Sequence, residues 1–147
     1  MTEDRLLEVL EEALSARVIE ELPRSVGRYQ FTHALIQETL AGELSTTRKV
    51  RLHARIAETL EEFYGPGAAS HAAELAIHFV EAQTVLGTEK LIHYSFLAGD
   101  QALGARAYEE AEAHFQRGME AKGVALTGTE PAEDEEAEGR SAIVRIW

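Results

Sequence analysis

Hydrophobic residues recur along the first segment of this chain with a helical period. Leu6, Leu7, Leu10 and Leu14 follow one another at three- and four-residue steps, with Glu8, Glu11 and Glu12 between them, which predicts a helix over 4–15. The period then shortens. Arg17-Val18-Ile19-Glu20-Glu21-Leu22 holds β-branched residues in a short run that Pro23 stops. Arg28-Tyr29-Gln30-Phe31-Thr32 alternates polar and apolar, as a half-buried strand does. With Pro23 to Gly27 as loop between them, the two runs predict a β-hairpin.

From Thr32 the pattern is helical. Thr32 is placed to cap a helix whose apolar stripe is Leu35, Ile36, Leu40 and Leu44, with Thr39 among them. Ser45 is placed to cap the next, where Leu52, Ile56, Leu60 and Phe63 form the stripe and Tyr64-Gly65-Pro66-Gly67 marks the end. Ser70 would cap a third, with Ala72, Leu75, Ala76, Phe79 and Val80 on one face. Gly87-Thr88 separates a fourth over about 89–104, and a fifth over about 107–121 carries Tyr108, Ala111, Phe115 and Met119. After Gly123 the composition changes. Glu133-Asp134-Glu135-Glu136 and Glu138 interrupt any apolar pattern, so 124–140 reads as a mobile acidic linker. Ala142-Ile143-Val144-Arg145-Ile146-Trp147 is apolar again, either the start of another element or a tail that docks on the body. The fold class is therefore mainly α, with one small β-hairpin near the front and an antiparallel helical-repeat array behind it.

Composition narrows the chemistry. Fourteen basic and 26 acidic residues among 147 give a net charge of −12, which disfavours DNA as a partner, since a DNA binder must put cations on phosphates. The acidity is uneven: residues 1–60 carry eight basic and ten acidic side chains, residues 61–147 six and sixteen. With no cysteine, disulfides, thiolate zinc sites and cysteine nucleophiles are excluded. No apolar run approaches the ~18 residues of a membrane span, and the N-terminus lacks a secretory pattern, so the expected location is cytoplasmic. Neither Gly-x-x-x-x-Gly-Lys-Ser/Thr nor Gly-x-Gly-x-x-Gly occurs, so no cofactor or nucleotide loop is written here and the chain reads as no enzyme.

Three constellations stand out. His71, Glu74 and His78 share a helix face at i, i+3 and i+7, a donor set zinc accepts, but the spacing is not that of a metal-binding His-x-x-x-His helix. They read as polar groups bordering the Leu75–Phe79 stripe. His33 and His53 could exchange protons near neutrality, yet no Ser, Asp or Lys stands with them as a nucleophile set, and they read as histidines at packing edges. Arg48, Lys49, Arg51 and Arg55 form the basic cluster, with Arg48, Arg51 and Arg55 on one face, suited to a phosphate or an acidic partner surface. The alternative is a solvated face paired with neighbours such as Glu58.

The back of the chain resembles one tetratricopeptide (TPR) hairpin: Gly99, Ala111 and Gly118 would let two helices approach closely, with Tyr108 and Phe115 filling the space around them. It departs from that pattern at Ser95, where a repeat usually has Trp. Together with Tyr29-Gln30-Phe31-Thr32-His33-Ala34-Leu35-Ile36-Gln37-Glu38-Thr39-Leu40, Arg51-Leu52-His53-Ala54-Arg55-Ile56-Ala57 and His71-Ala72-Ala73-Glu74-Leu75-Ala76-Ile77-His78-Phe79, it resembles a known region. That region follows the nucleotide-binding domain of bacterial STAND-class, AAA-type signal-transduction ATPases, which include adenylate/guanylate cyclase-like and LuxR- or MalT-like regulators. The resemblance covers roughly residues 3–122 and is most specific from Phe31 to Leu60. It implies that residues 1–44 are the C-terminal part of a winged helix with Val18–Thr32 as its wing. Residues 45–123 would then be TPR-like hairpins and 124–147 the acidic linker and apolar tail. The family's Walker motifs have no counterpart here, so nucleotide binding is not implied, and the chain is expected to be a fragment or a truncated reading frame.

The expected function is that of a non-catalytic transducer and scaffold, contacting the upstream nucleoside-triphosphatase domain or a protein partner through residues such as Arg48, Arg51 and Arg55. No membrane contact and no metal or cofactor are expected. The alternatives are a DNA-binding winged-helix regulator and a free-standing TPR-like adaptor. Apolar surface at Val18, Tyr29 and Phe31 in front, and at some of Tyr108, Phe115 and Met119 behind, is expected to lie open. Self-association or docking of Ile143–Trp147 on the back face would cover it.

Overall fold

The computed structural model describes residues 2–123. The expected linker and apolar tail, 124–147, lie outside the described residues. The protein is mainly α-helical with one two-stranded antiparallel sheet. The described residues fall into two compact units, one ending at Thr46 and the other beginning at Thr47.

In the first unit, helix α1 (Glu3–Ser15) is capped by Thr2, whose hydroxyl accepts the Arg5 N–H at 3.4 Å, and Glu3 and Asp4 complement the positive end of the helix dipole. Arg17, at φ 56°, turns the chain into strand β1 (Ile19–Glu21). Strand β2 (Tyr29–Phe31) pairs with it in the register Ile19↔Phe31, Glu20↔Gln30 and Glu21↔Tyr29. The Gln30 amide donates to the Glu20 carboxylate across the pair. Thr32 does not cap the helix that follows. Its hydroxyl is spent on the carbonyl of Arg17 at 2.8 Å, closing the open end of the hairpin, and His33 takes the N-cap position of α2 (Ala34–Glu43) without a side-chain bond. No side chain of α1, β1, β2 or α2 is fully buried. Val18 and Tyr29 are half-buried and Phe31 is exposed.

The second unit holds the core. Helix α3 (Thr46–Tyr64) ends where the sequence predicts, at Gly65 with φ 48°, and runs into a 3-10 helix, Gly65–His71. Ser70 lies inside that 3-10 helix, so His71 rather than Ser70 stands at the N-cap of α4 (Ala72–Leu86). Gly87, at φ 76°, closes α4, and α5 (Glu89–Gly104) and α6 (Tyr108–Lys122) follow, with Gly123 in the left-handed conformation as the last cap. The main cluster joins Ala57 of α3, Ala68 of the 3-10 helix, Leu75, Ala76 and Phe79 of α4, and Leu91, Tyr94 and Ala98 of α5. Phe79 and Tyr94 stack at 5.5 Å within it. A second cluster joins Ala102 of α5 to Ala111 and Phe115 of α6.

Helices α5 and α6 form an antiparallel hairpin held by ring-into-glycine contacts. Phe115 lies so close to Gly99 that a methyl there would sit 2.5 Å from ring carbon Cε1, and Phe96 would meet one at Gly118 at 3.1 Å. The close approach expected of these glycines is present, but the filling is done by Phe96 and Phe115, whereas Tyr108 stays exposed. Ser95 is fully buried, and its hydroxyl has no hydrogen-bond partner among the described residues. Of the residues expected at an open back face, Phe115 and Met119 are each only 1 % exposed, closed by this packing, and Tyr108 is the one left open.

Candidate functional site

Helix α3 is oriented against its strongest hydrophobic signal. The sequence marks Leu52, Ile56, Leu60 and Phe63 as its buried stripe. Instead the small Ala54 and Ala57 are buried, with Leu60, Glu61 and Tyr64 half-buried beside them. Leu52 and Ile56 are exposed, and Phe63 is 81 % exposed. Alanines meet alanines here: Ala57 packs in one cluster with Ala68, Ala72 and Ala76, an approach that leucines at these positions would block.

Polar groups fasten both flanks of α3. Toward α4, His53 and His78 bring their Nδ1 atoms to 3.0 Å, half-buried, with ring centroids 5.2 Å apart. Burial pushes the His78 imidazole below its ordinary pKa, the His53 ring pushes it further down, and Glu74 opposes both. At the other end of the same seam the Tyr64 hydroxyl donates to Glu74 Oε2 at 2.8 Å, and the Tyr64 ring stacks on His71 at 3.7 Å. Toward α5, the Glu61 carboxylate receives the Lys90 ammonium and, at 2.7 Å, the Tyr94 hydroxyl. Burial alone would raise the Glu61 pKa, but bonds from Lys90 and Tyr94 and the charges of Lys90 and His93 outweigh it and hold the carboxyl below its usual range. Burial, then the bond to Glu61, push the Tyr94 phenol up to about 12.

These seams divide the sequence-predicted triad. His78 turns to His53, and Glu74 to Tyr64 and His71, with His71 Nδ1 3.6 Å from its Oε2. Among the described residues no group of three or more His, Asp or Glu side chains is arranged to hold a metal ion. His53, weighed with His33 as a proton-transfer pair, has its Nδ1 taken up by His78, while His33 stands at the α2 N-cap. The pairing of residues 53 and 78 has no local signature, since only tertiary packing brings them together. The Glu61–Lys90–Tyr94 network is hidden from sequence for the same reason.

The outward side of α3 remains. Arg48, Arg51 and Arg55 form an exposed row along it. Leu52 lies four residues after Arg48 and three before Arg55, so the exposed apolar strip Leu52–Ile56–Phe63 borders the arginine row. Glu58 and Glu62, also exposed, occupy the C-terminal half. This charge order opposes the helix dipole, which favours anions at the N-terminus by ~0.3–1 kcal/mol each. Arg48 and Lys49 in the first turn therefore gain nothing from the dipole. The surface offers an apolar strip for burial and guanidinium groups for carboxylates or phosphates.

No family model matches this chain, and no curated protein or solved structure matches it.

Proposed function

We propose that this chain is a non-catalytic transducer and scaffold, a piece of a STAND-type regulatory ATPase that makes contacts within that protein or to another one. The observation that carries the reading is the outward face of α3, where an exposed apolar strip and an arginine row lie side by side on a helix whose inner face is fully engaged. Such a face is suited to binding protein, and the packed helices behind it give it a rigid base. The α5–α6 hairpin, with rings seated over Gly99 and Gly118, supports the repeat-array part of the reading. In this reading α1 and the β-hairpin are the remnant of a winged helix that packs on protein rather than on DNA. Glu3, Asp4, Glu8, Glu11 and Glu12 of α1 are all exposed, and the guanidinium of Arg5 is paired with Glu8 at 2.9 Å.

The test is a calorimetric titration of this chain with the nucleotide-binding domain encoded upstream in the same reading frame, made as a separate polypeptide. Saturable binding, weakened at least about tenfold (~1.4 kcal/mol) by Arg51→Glu with Arg55→Glu, is the expected result. No binding, or no such domain in frame, overturns the STAND reading.

A further inference from the structure

The outward face of α3 has a polarity along its length. Its first half carries Arg48, Arg51 and Arg55, its apolar strip runs from Leu52 through Ile56 to Phe63, and Glu58 and Glu62 flank the second half. Another stretch of this chain has the complementary order. Glu133, Asp134, Glu135, Glu136 and Glu138 come first, and Ile143, Val144, Ile146 and Trp147 follow, with Arg145 among them. Laid along α3 in the same direction, acids would meet the arginine row, the apolar residues would meet Ile56 and Phe63, and Arg145 would come beside Glu58 or Glu62. The opposite direction would set acids against glutamates.

We infer that the outward face of α3 is the docking site of this chain's own segment 133–147, an acidic-then-apolar peptide that covers the strip and caps the arginine row in cis. The inference rests on the reading of α3 as a contact face and names its occupant. Reach permits it. Nine residues, 124–132, separate Gly123 from the first acid, Glu133, and nine residues can span at most about 30 Å. That upper limit is comparable to the ~28 Å length of a 19-residue helix such as α3. The back face is the poorer site, because Phe115 and Met119 are already buried between helices and Tyr108 alone of the three is exposed. A segment seated in this way competes with any acidic, apolar partner for the same helix. Partner binding would then release it.

Trp147 is the sole tryptophan of the chain, so intrinsic fluorescence of the full-length protein reads the docked segment directly. Emission at shorter wavelength than in the urea-unfolded chain, with protection from acrylamide, is expected at all protein concentrations. Arg51→Glu with Arg55→Glu, and separately Phe63→Ser, should shift the emission and the quenching toward those of the unfolded chain. All three sites are exposed, so the helical circular dichroism should not change. Glu133→Lys with Glu136→Lys should produce the same loss without touching α3, and combining it with the two arginine reversals should restore protection. Solvent-like emission from the unmodified chain overturns the inference. So does a protected Trp147 that the α3 variants leave unmoved, or protection that grows with concentration, which would make the occupant a second copy. If the arginine reversals weaken the titration with the nucleotide-binding domain yet leave Trp147 unchanged, the inference falls and the contact-face reading stands.

Discussion

Gly99 and Gly118 lack side chains because aromatic rings occupy the space a methyl would need, and the two sites differ in how far that ring can give way. A Cβ at Gly99 would meet three ring atoms of Phe115 at 2.5–2.8 Å, and Phe115 is fully buried. A Cβ at Gly118 would meet the edge of Phe96 at 3.1–3.3 Å, and Phe96 is only half-buried. Overpacking a core costs ~1–3 kcal/mol, while replacing a helical glycine by alanine returns about 1 kcal/mol of backbone entropy. Gly99→Ala should therefore lose up to about 2 kcal/mol, and Gly118→Ala should lie within ~1 kcal/mol of neutral. Urea unfolding of both variants decides it, and a larger loss at Gly118 would contradict this packing. The same rings explain Ser95: its Cβ lies 3.3 Å from where a Gly118 methyl would be, in a crevice that a Trp side chain would overfill.

Helix α3 marks the boundary of what periodicity alone reveals. Its existence and its end at Gly65 are legible, as are α1, the hairpin and α4 to α6, because each has a clear period and a breaker where it stops. Its orientation is not legible. Leu52, Ile56 and Phe63 make one helical stripe and Ala54, Ala57 and Glu61 another, and hydrophobicity favours the first. The choice is made by size complementarity with Ala72 and Ala76 and by Glu61 reaching Lys90 and Tyr94. The misplaced caps have a similar cause, since Thr32 and Ser70 have the right chemistry but partners elsewhere claim or displace them. The seam between α3 and α4 also makes stability depend on pH. His78 is held below its ordinary 6.5 chiefly by burial, and His114 of α6 likewise, with Arg117 adding to the effect and Glu110 opposing it. Both histidines therefore bind protons more weakly folded than unfolded. Their contribution is complete above about pH 6.5 and is lost as pH falls through that value toward their lower folded ones. The melting temperature should fall on acidification from about pH 7.5 to 5.5, and His78→Gln should flatten part of that fall. A melting temperature constant over that window would refute the burial assigned to both rings.

Across the molecule, charge separates by region more than by face. The −12 total is concentrated after residue 60, whereas half of the fourteen cations are gathered on α3 and around the hairpin. A polyanion approaching such a chain gains little from counterion release. Gel shifts near ~150 mM salt should show no DNA complex at low micromolar protein. A specific shift there would favour the winged-helix regulator over the scaffold. The candidate arginines were visible in the sequence, as was the acidic stretch that complements them. What made α3 a candidate face was the burial of its alanines, which belongs to the folded molecule only.

The Nδ1 atoms of His53 and His78, 3.0 Å apart, can share a hydrogen bond only if one of them holds the proton and the other is bare. The first ring is then the Nδ1–H tautomer, and the second keeps its proton on Nε2. When both rings are neutral, two chemically identical side chains thus hold different tautomers, and their four ring nitrogens become inequivalent by nitrogen-15 resonance. Protonation of both rings would erase that asymmetry and leave two N–H donors facing each other across the α3–α4 seam.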